Sequence, residues 1–254
     1  MSYAQTLNQM AELNLNGMLH AYREIADDPT WMEQSFDDKL GYLVHQEYER
    51  RINNRVKNRL KEANFKMKAN LQDILYEGRN LSKDLVQRFA RFHWLQNHEN
   101  IIITGSTGTG KSFLAQALGN HACWHEIRVQ YYRLPDLLTE LQFGRETNQY
   151  VQIRKRLQRR DILILDDWGM ARLDTLAGHE VAAIIEDRLG SASTIVVSQF
   201  PVHTWDEIFE DKTTADAVMD RLVHLAYTIN LEGGSLRANA ASAELRQFKD
   251  DLLQ

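Results

Sequence analysis

The chain changes rhythm near residue 100. Ahead of that point apolar residues recur at helical intervals; beyond it, short apolar runs alternate with helical stretches. Leu40, Val44, Tyr48, Ile52, Val56 and Leu60 follow one another every four residues. That interval slightly overshoots a helical turn, so the apolar stripe winds slowly around a long helix. Ser35 with Asp38 has the form of a capping box at its start, with Asp in place of the usual Glu or Gln. Ser82 is placed to cap a further helix reaching about Phe92. Glycine is scarce and β-branched runs are absent here, so 1–95 reads as an all-helical N-terminal domain.

Beyond it, five segments read as strands: Ile101–Thr104 and Asp161–Leu165, whose apolar runs mark buried strands, with Arg128–Tyr132, Thr194–Ser198 and Tyr227–Leu231. Helical patterns separate them over Lys111–His125, Pro135–Phe143, Gln149–Arg159, Leu176–Leu189 and Ala215–Leu225. Strands alternating with helices predict an α/β fold, a parallel sheet flanked by helices, over 96–238. A polar tail, 239–254, has the pattern of a helix.

Composition adds compartment and charge. A single cysteine, Cys123, excludes a disulfide framework, and three prolines exclude a proline-rich linker. The N-terminus lacks the form of a secretory signal, and the longest apolar runs are too short to cross a bilayer, so no membrane association and a cytoplasmic location are expected. The net charge of −5 does not by itself suggest nucleic acid, but the basic residues are segregated. Arg51, Arg55 and Arg59 recur along one helical face, and Arg154, Lys155, Arg156, Arg159 and Arg160 form a second cluster. A continuous cationic face suits the phosphates of duplex DNA and requires no base-specific contact; the alternative is a solvated helix face.

The chemistry gathers at the ends of the predicted strands. Residues 105–112 read Gly105, Ser106, Thr107, Gly108, Thr109, Gly110, Lys111, Ser112, a complete Walker A phosphate loop between a strand and a helix, with Phe113 next. Its glycines let several amide N–H groups turn inward onto the phosphates of ATP, with Lys111 reaching the β- and γ-phosphates and the Ser112 hydroxyl on Mg2+. Ile162–Leu165 ends in Asp166 and Asp167. Asp166 is expected to hold the metal and Asp167 to orient or deprotonate water; the alternative for Asp167 is a cap on the following turn. No Asn-Lys-x-Asp guanine reader and no kinase catalytic loop is present, which leaves ATP as nucleotide and water as nucleophile. His121 and His125 share a helical face but Cys123 points elsewhere, so no metal site is expected there; Trp124 and Trp168 are expected to pack.

The phosphate loop, paired with Leu163-Ile164-Leu165-Asp166-Asp167-Trp168-Gly169, resembles the DnaC/IstB branch of the AAA+ ATPases. Segments 13–18, 47–51, 194–201, 220–224 and 231–237 are similar to IstB-type helpers of insertion-sequence transposition, and the resemblance covers most of 10–238. It implies an ATPase that oligomerises on duplex DNA and assists a transposase, with ATP between subunits. It further implies a γ-phosphate sensor in Gln199, an arginine finger in Arg221 (or Arg188), and a DNA-lining role for Arg154, Lys155 and Arg156. Two departures stand out: the second acid is Asp167 rather than Glu, and little chain follows Arg237, so the AAA+ helical lid is missing or reduced and a sensor role for Arg237 is open. The runner-up is a DnaC-like replicative helicase loader. A metabolic kinase or GTPase would need an acceptor lid or a guanine motif. A non-catalytic scaffold is disfavoured by the intact Lys111, Ser112 and Asp166.

Overall fold

A computed structural model describes residues 2–236 of the chain, which divides into two compact units, Met1–Asn58 and Arg59–Gln254. The division falls inside a long helix, whereas the sequence pattern suggests a boundary near residue 95. The difference has a physical source. Residues 63–94 supply Ala63, Ala69, Ile74, Leu81, Val86, Phe89 and Trp94 to the same core as the central strands. Their apolar surface is buried against the sheet rather than within a helical domain of their own.

In the first unit, helix α1 (Tyr3–Glu12) opens with a Ser2–Gln5 capping box. Helix α2 (Asn16–Asp27) follows, then a 3-10 turn at Pro29–Trp31 and the long α3 (Phe36–Ala63). The Ser35 hydroxyl accepts from the Asp38 N–H at 3.2 Å, so the expected cap is in place. Leu19, Ala21 and Leu43 are buried. The stripe on α3 is not uniformly covered: Val56 is buried while Leu40, Val44 and Tyr48 are exposed.

The second unit is a five-stranded parallel sheet of order β2-β3-β4-β1-β5, built from β1 (Asn100–Gly105), β2 (Val129–Arg133), β3 (Ile162–Trp168), β4 (Ser193–Ser198) and β5 (Ala226–Leu231). Alternate strand residues feed two cores. Ile101, Ile103, Ile162, Ile164, Ile195 and Val197 face the side covered by α4 (Lys83–Ala90), α5 (His93–Gln96) and α6 (Lys111–Trp124). Ile102, Leu163, Leu165 and Val196 face the other side. That side carries α7 (Leu134–Glu146), α8 (Tyr150–Gln158), α9 (Thr175–Arg188), a 3-10 segment Val202–Ile208 and α10 (Lys212–Val223). Covering both faces explains why β1, β3 and β4 read as apolar runs. Among the described residues no helical lid follows β5; Arg237 and the tail 239–254 lie outside them.

Candidate nucleotide site

The loop leaving β1 is the start of the site. Gly108 (φ +83°) and Gly110 (φ +97°) hold left-handed conformations that disfavour side chains, and a Cβ on Gly108 would collide with Ser235. The chain then enters α6 at Lys111, so the first turn's free N–H groups point into the loop. Lys111 is only 6% exposed and its Nζ donates to the Ser106 carbonyl at 2.8 Å. Thr109 also donates to Ser106 O, at 2.9 Å. A cavity of about 240 Å³ opens over Gly108, Gly110, Lys111, Ser112 and Phe113.

The two acids lie where β3 departs from regular pairing. Leu165 pairs with Val196 and Trp168 with Ser198, so Asp166 and Asp167 together oppose one residue of β4. Such a bulge re-aims side chains at the strand end. Asp167 adopts φ +57°, a conformation that Asp tolerates better than most residues. Asp166 is buried and fixed: one carboxylate oxygen accepts from the Tyr131 hydroxyl and the other from the Asp167 N–H, each at 2.8 Å. Burial, then the neighbouring Asp166 charge, pushes the Tyr131 hydroxyl well above its ordinary pKa, so it remains a donor. Asp167 accepts from Arg133 Nε at the end of β2.

Gln199, the residue after β4, closes the site. Its Oε1 accepts from the Thr107 hydroxyl at 2.7 Å, which brings the expected γ-phosphate sensor onto the phosphate loop itself. The flanking residues hold it: Ser198 Oγ donates to Trp168 O at 2.9 Å and accepts from Phe200 N at 3.0 Å. Ser112 and Asp166 offer the hard oxygen donors that magnesium prefers. One or two carboxylates plus substrate phosphates suffice for that ion, so this donor set fits it. Among the described residues there is no group of three or more His, Cys, Asp or Glu that could hold a metal without a nucleotide. His121 and His125 pack against each other, ring centroids 4.3 Å apart, and against Phe92.

The two arginines offered as fingers are both engaged within the chain. Arg188 is 2% exposed, and its guanidinium donates to the carbonyls of Leu157 (2.7 Å), Arg160 (2.9 Å) and Ser193 (2.6 Å). Burial lowers its pKa to about 10, and it ties α8 to β4, so it is not available as a finger. Arg221 is half-buried on α10, paired with Glu186 and with the Ala217 carbonyl rather than with Asp216 or Asp220. Arg79 was not legible as a site residue. It donates to Thr109 O in the phosphate loop and to Gly234 O, at 3.4 Å for the latter. Beside it lies a cavity of about 160 Å³ with Ile74, Leu75, Leu81, Phe113 and Leu236 among its lining. These residues carry no motif and sit in an irregular stretch. Arg133 was equally hidden, although as the neighbour of Asp166 in the β2–β3 register it could have been reached from the strand alignment.

The basic residues divide in the same way. On α3, Arg51 pairs with Glu47 at 2.7 Å while remaining half-exposed, and Arg55 is exposed. Arg59 lies near Glu126 at 3.6 Å. Arg154 is tied to Asp187 and to the Tyr150 hydroxyl (3.1 Å), and Arg156 to Glu140 (2.6 Å) and the Tyr132 hydroxyl (2.7 Å). Lys155 is exposed. Trp168 packs fully buried on Trp205, ring centroids 5.2 Å apart, whereas Trp124 is exposed and does not pack as expected, because α6 has already ended its buried face at Cys123.

A phosphate loop after β1, paired acids near the C-terminal end of β3 and the order β2-β3-β4-β1-β5 define a AAA+ type of P-loop ATP-binding domain. The fold is shared with the crystal structure of the DnaC helicase loader (TM-score 0.56, 20% identity, covering 65% of this chain and 97% of that one). It is shared too with AMPPCP-bound DnaA from Aquifex aeolicus (TM-score 0.57, 22% identity, 72% of this chain and 56% of that one). Residues 8–243 match the IstB-like ATP binding proteins, and the chain belongs to that family. It is 38% identical over 235 residues to an insertion sequence ATP-binding protein of Sinorhizobium fredii, y4pL, covering 92% of this chain and 96% of that protein. It is 37% identical over 201 residues to the ATP-binding protein of insertion sequence IS1162 from Pseudomonas fluorescens, covering 78% and 87%. No helix among the described residues is long and apolar enough to cross a membrane.

Proposed function

We propose that this chain hydrolyses ATP with Mg2+ and, when ATP is bound, oligomerises on duplex DNA to assist a transposase. The observation that carries the reading is the convergence of Lys111, Ser112, Gln199 and the Asp166–Asp167 pair at one end of the sheet, in relatives named for insertion sequences. Lys111 and the loop N–H groups would hold the phosphates, and the apolar cavity beside Arg79 would take the base. Ser112 and Asp166 would hold magnesium, which neutralises charge on the transferred phosphoryl group. Asp167 would accept the proton of the attacking water, and Gln199 would report the γ-phosphate to the loop through Thr107. Arg221 of a neighbouring copy would complete the site, so ATP sits between subunits.

DNA contact rests on the exposed cations of α3 and of the α8 region. One monomer offers few of them inside a chain of net charge −5, so affinity should depend on assembly. The test measures phosphate release and binding to a labelled duplex of mixed sequence, with and without ATP. Turnover together with ATP-strengthened, salt-sensitive duplex binding supports the proposal. Tight single-strand binding with none to duplex would replace it by the helicase-loader reading, and absence of turnover in the presence of magnesium and DNA would remove the enzyme.

A further inference from the structure

A basic concavity of the second unit lies at the N-terminal edge of the sheet, the end away from the phosphate loop. It is a cleft of about 370 Å³ lined by Arg128, Gln152, Lys155, Arg156, Arg159 and Arg160. No acid lines it. Gln152, Lys155, Arg156 and Arg159 stand at i, i+3, i+4 and i+7, one face of α8 continued past its end, while Ile153 and Leu157 bury the opposite face. Arg128 leads into β2, and Arg160 leads into β3.

The five cations are not equivalent. Arg128 is paired with Asp161, Arg156 with Glu140 and Arg160 with Glu62, each at 2.6 Å. Lys155 and Arg159 are exposed and have no acidic partner among the described residues. The cleft therefore keeps two uncompensated charges in front of three paired arginines. The Nε atoms of Arg156 and Arg160 are buried there without an acceptor. A helix C-terminus favours a cation or two near its last carbonyls. That effect does not account for five around one cavity.

We propose that this cleft, through Lys155 and Arg159 backed by Arg128 and Arg160, grips the phosphate backbone of duplex DNA, and that Arg154 and Arg156 hold α8 in place rather than touch the DNA. The inference rests on the DNA-binding function proposed above and moves the contact within the cluster. Lys155 and Arg159 are four apart on one helical face, with Cβ atoms about 5–6 Å apart. Phosphates follow each other every ~3.4 Å of axis on each strand, so the two cations can reach neighbouring phosphates. Lying at the far edge of the sheet, the cleft leaves the ATP site free, so both ligands can be held together.

The experiment is a salt titration of full-length protein binding to a labelled duplex with ATP. Lys155→Gln/Arg159→Gln should lower the slope of log affinity against log salt by about 1.8, two phosphates at about 0.9 each. Lys155→Glu/Arg159→Glu should weaken binding at least about tenfold, by adding repulsion. Both side chains are exposed, and melting temperatures matching wild type establish that the variants fold. Arg154→Gln should lower the melting temperature and leave the slope in place. A wild-type slope and affinity in Lys155→Gln/Arg159→Gln, while wild type binds duplex, overturns the cleft and leaves the DNA function standing. An equal slope change in Arg154→Gln also overturns it, because bulk charge rather than the cleft is then being read. Inorganic tripolyphosphate binding that the double variant loses, with duplex affinity unchanged, makes the cleft a small-anion pocket and removes its DNA role. Wild type that binds no duplex at low salt removes the DNA function and the cleft's part in it together.

Discussion

At the residue scale the two acids of the bulge separate into different tasks. Asp166 is buried with both oxygens engaged by Tyr131 and the Asp167 N–H, while Asp167 reaches outward toward Arg133. Asp167→Asn should therefore leave ATP affinity near wild type and slow hydrolysis by about 100-fold or more, the usual range for losing a general base. Nucleotide binding by fluorescence and phosphate release on the same preparation check this; loss of binding with normal turnover per bound ATP would reverse the two roles. Lys111→Ala should instead lose ATP binding itself, since it removes the buried cation of the loop. A buried arginine gives the contrast. Arg188→Ala strips donors from three carbonyls, each buried polar group left unpaired costing about 1–3 kcal/mol. It should lower the unfolding free energy by several kcal/mol, with turnover per folded molecule close to wild type. A finger role would show the opposite: normal melting and lost turnover.

At the element scale, the legibility of the chain followed how local the determinants were. All five strands were readable: β1, β3 and β4 carry three or four consecutive apolar residues, as buried parallel strands do, while β2 and β5 were marked by their β-branched and aromatic residues. The phosphate loop was readable because backbone curvature demands glycine at fixed positions. Arg79, Arg133 and the apolar cavity were not, since each acquires its place only from tertiary packing. The sequence segments 13–18 and 47–51, which resembled IstB-type proteins, turn out to meet within the first unit. The Gly17 N–H at the start of α2 donates to Glu47 Oε2 on α3 at 2.7 Å, and a Cβ on Gly17 would come within 2.6 Å of the Gln46 carbonyl oxygen. Hydrogen bonds from Arg50 foremost, with Arg51 and the Gly17 N–H, hold the Glu47 carboxyl down to about 2, against 4.5 ordinarily. A carboxylate depressed in the folded state stabilises above its unfolded pKa and loses that contribution as pH falls through the folded value. The α2–α3 contact should thus weaken between pH 4.5 and about 2. Glu47→Gln should flatten this acid limb in thermal unfolding, and Gly17→Ala should destabilise by about 1–3 kcal/mol through overpacking. An unchanged acid limb in Glu47→Gln would assign the acid sensitivity to other carboxylates.

At the scale of the whole molecule, the proposed site takes its finger, Arg221, from a neighbouring copy. Among the described residues, the cations at the phosphate loop are Lys111 and, through Thr109, Arg79; Arg133 is engaged by Asp167, Arg188 is enclosed, and Arg221 lies on α10 paired with Glu186 on α9. The Arg221–Glu186 pair is partly exposed, and such pairs contribute only about 0–1 kcal/mol, so a phosphate charge on a neighbouring copy can draw Arg221 away at little cost. Arg221→Ala should then bind ATP normally and hydrolyse it slowly, by about 1,000-fold where a finger acts in phosphoryl transfer. Lys111→Ala should be inactive for a different reason, having an intact Arg221 but an empty phosphate loop. Mixed in equal amounts, the two inactive variants can form an interface in which one copy supplies Lys111 and the other Arg221, and part of the turnover should return. Turnover of the mixture, measured alongside proof by cross-linking that the two variants share oligomers, decides the matter. Mixed oligomers without recovered turnover would confine Arg221 to its own subunit, where its partner is Glu186 and its contribution is to the packing of α10 on α9.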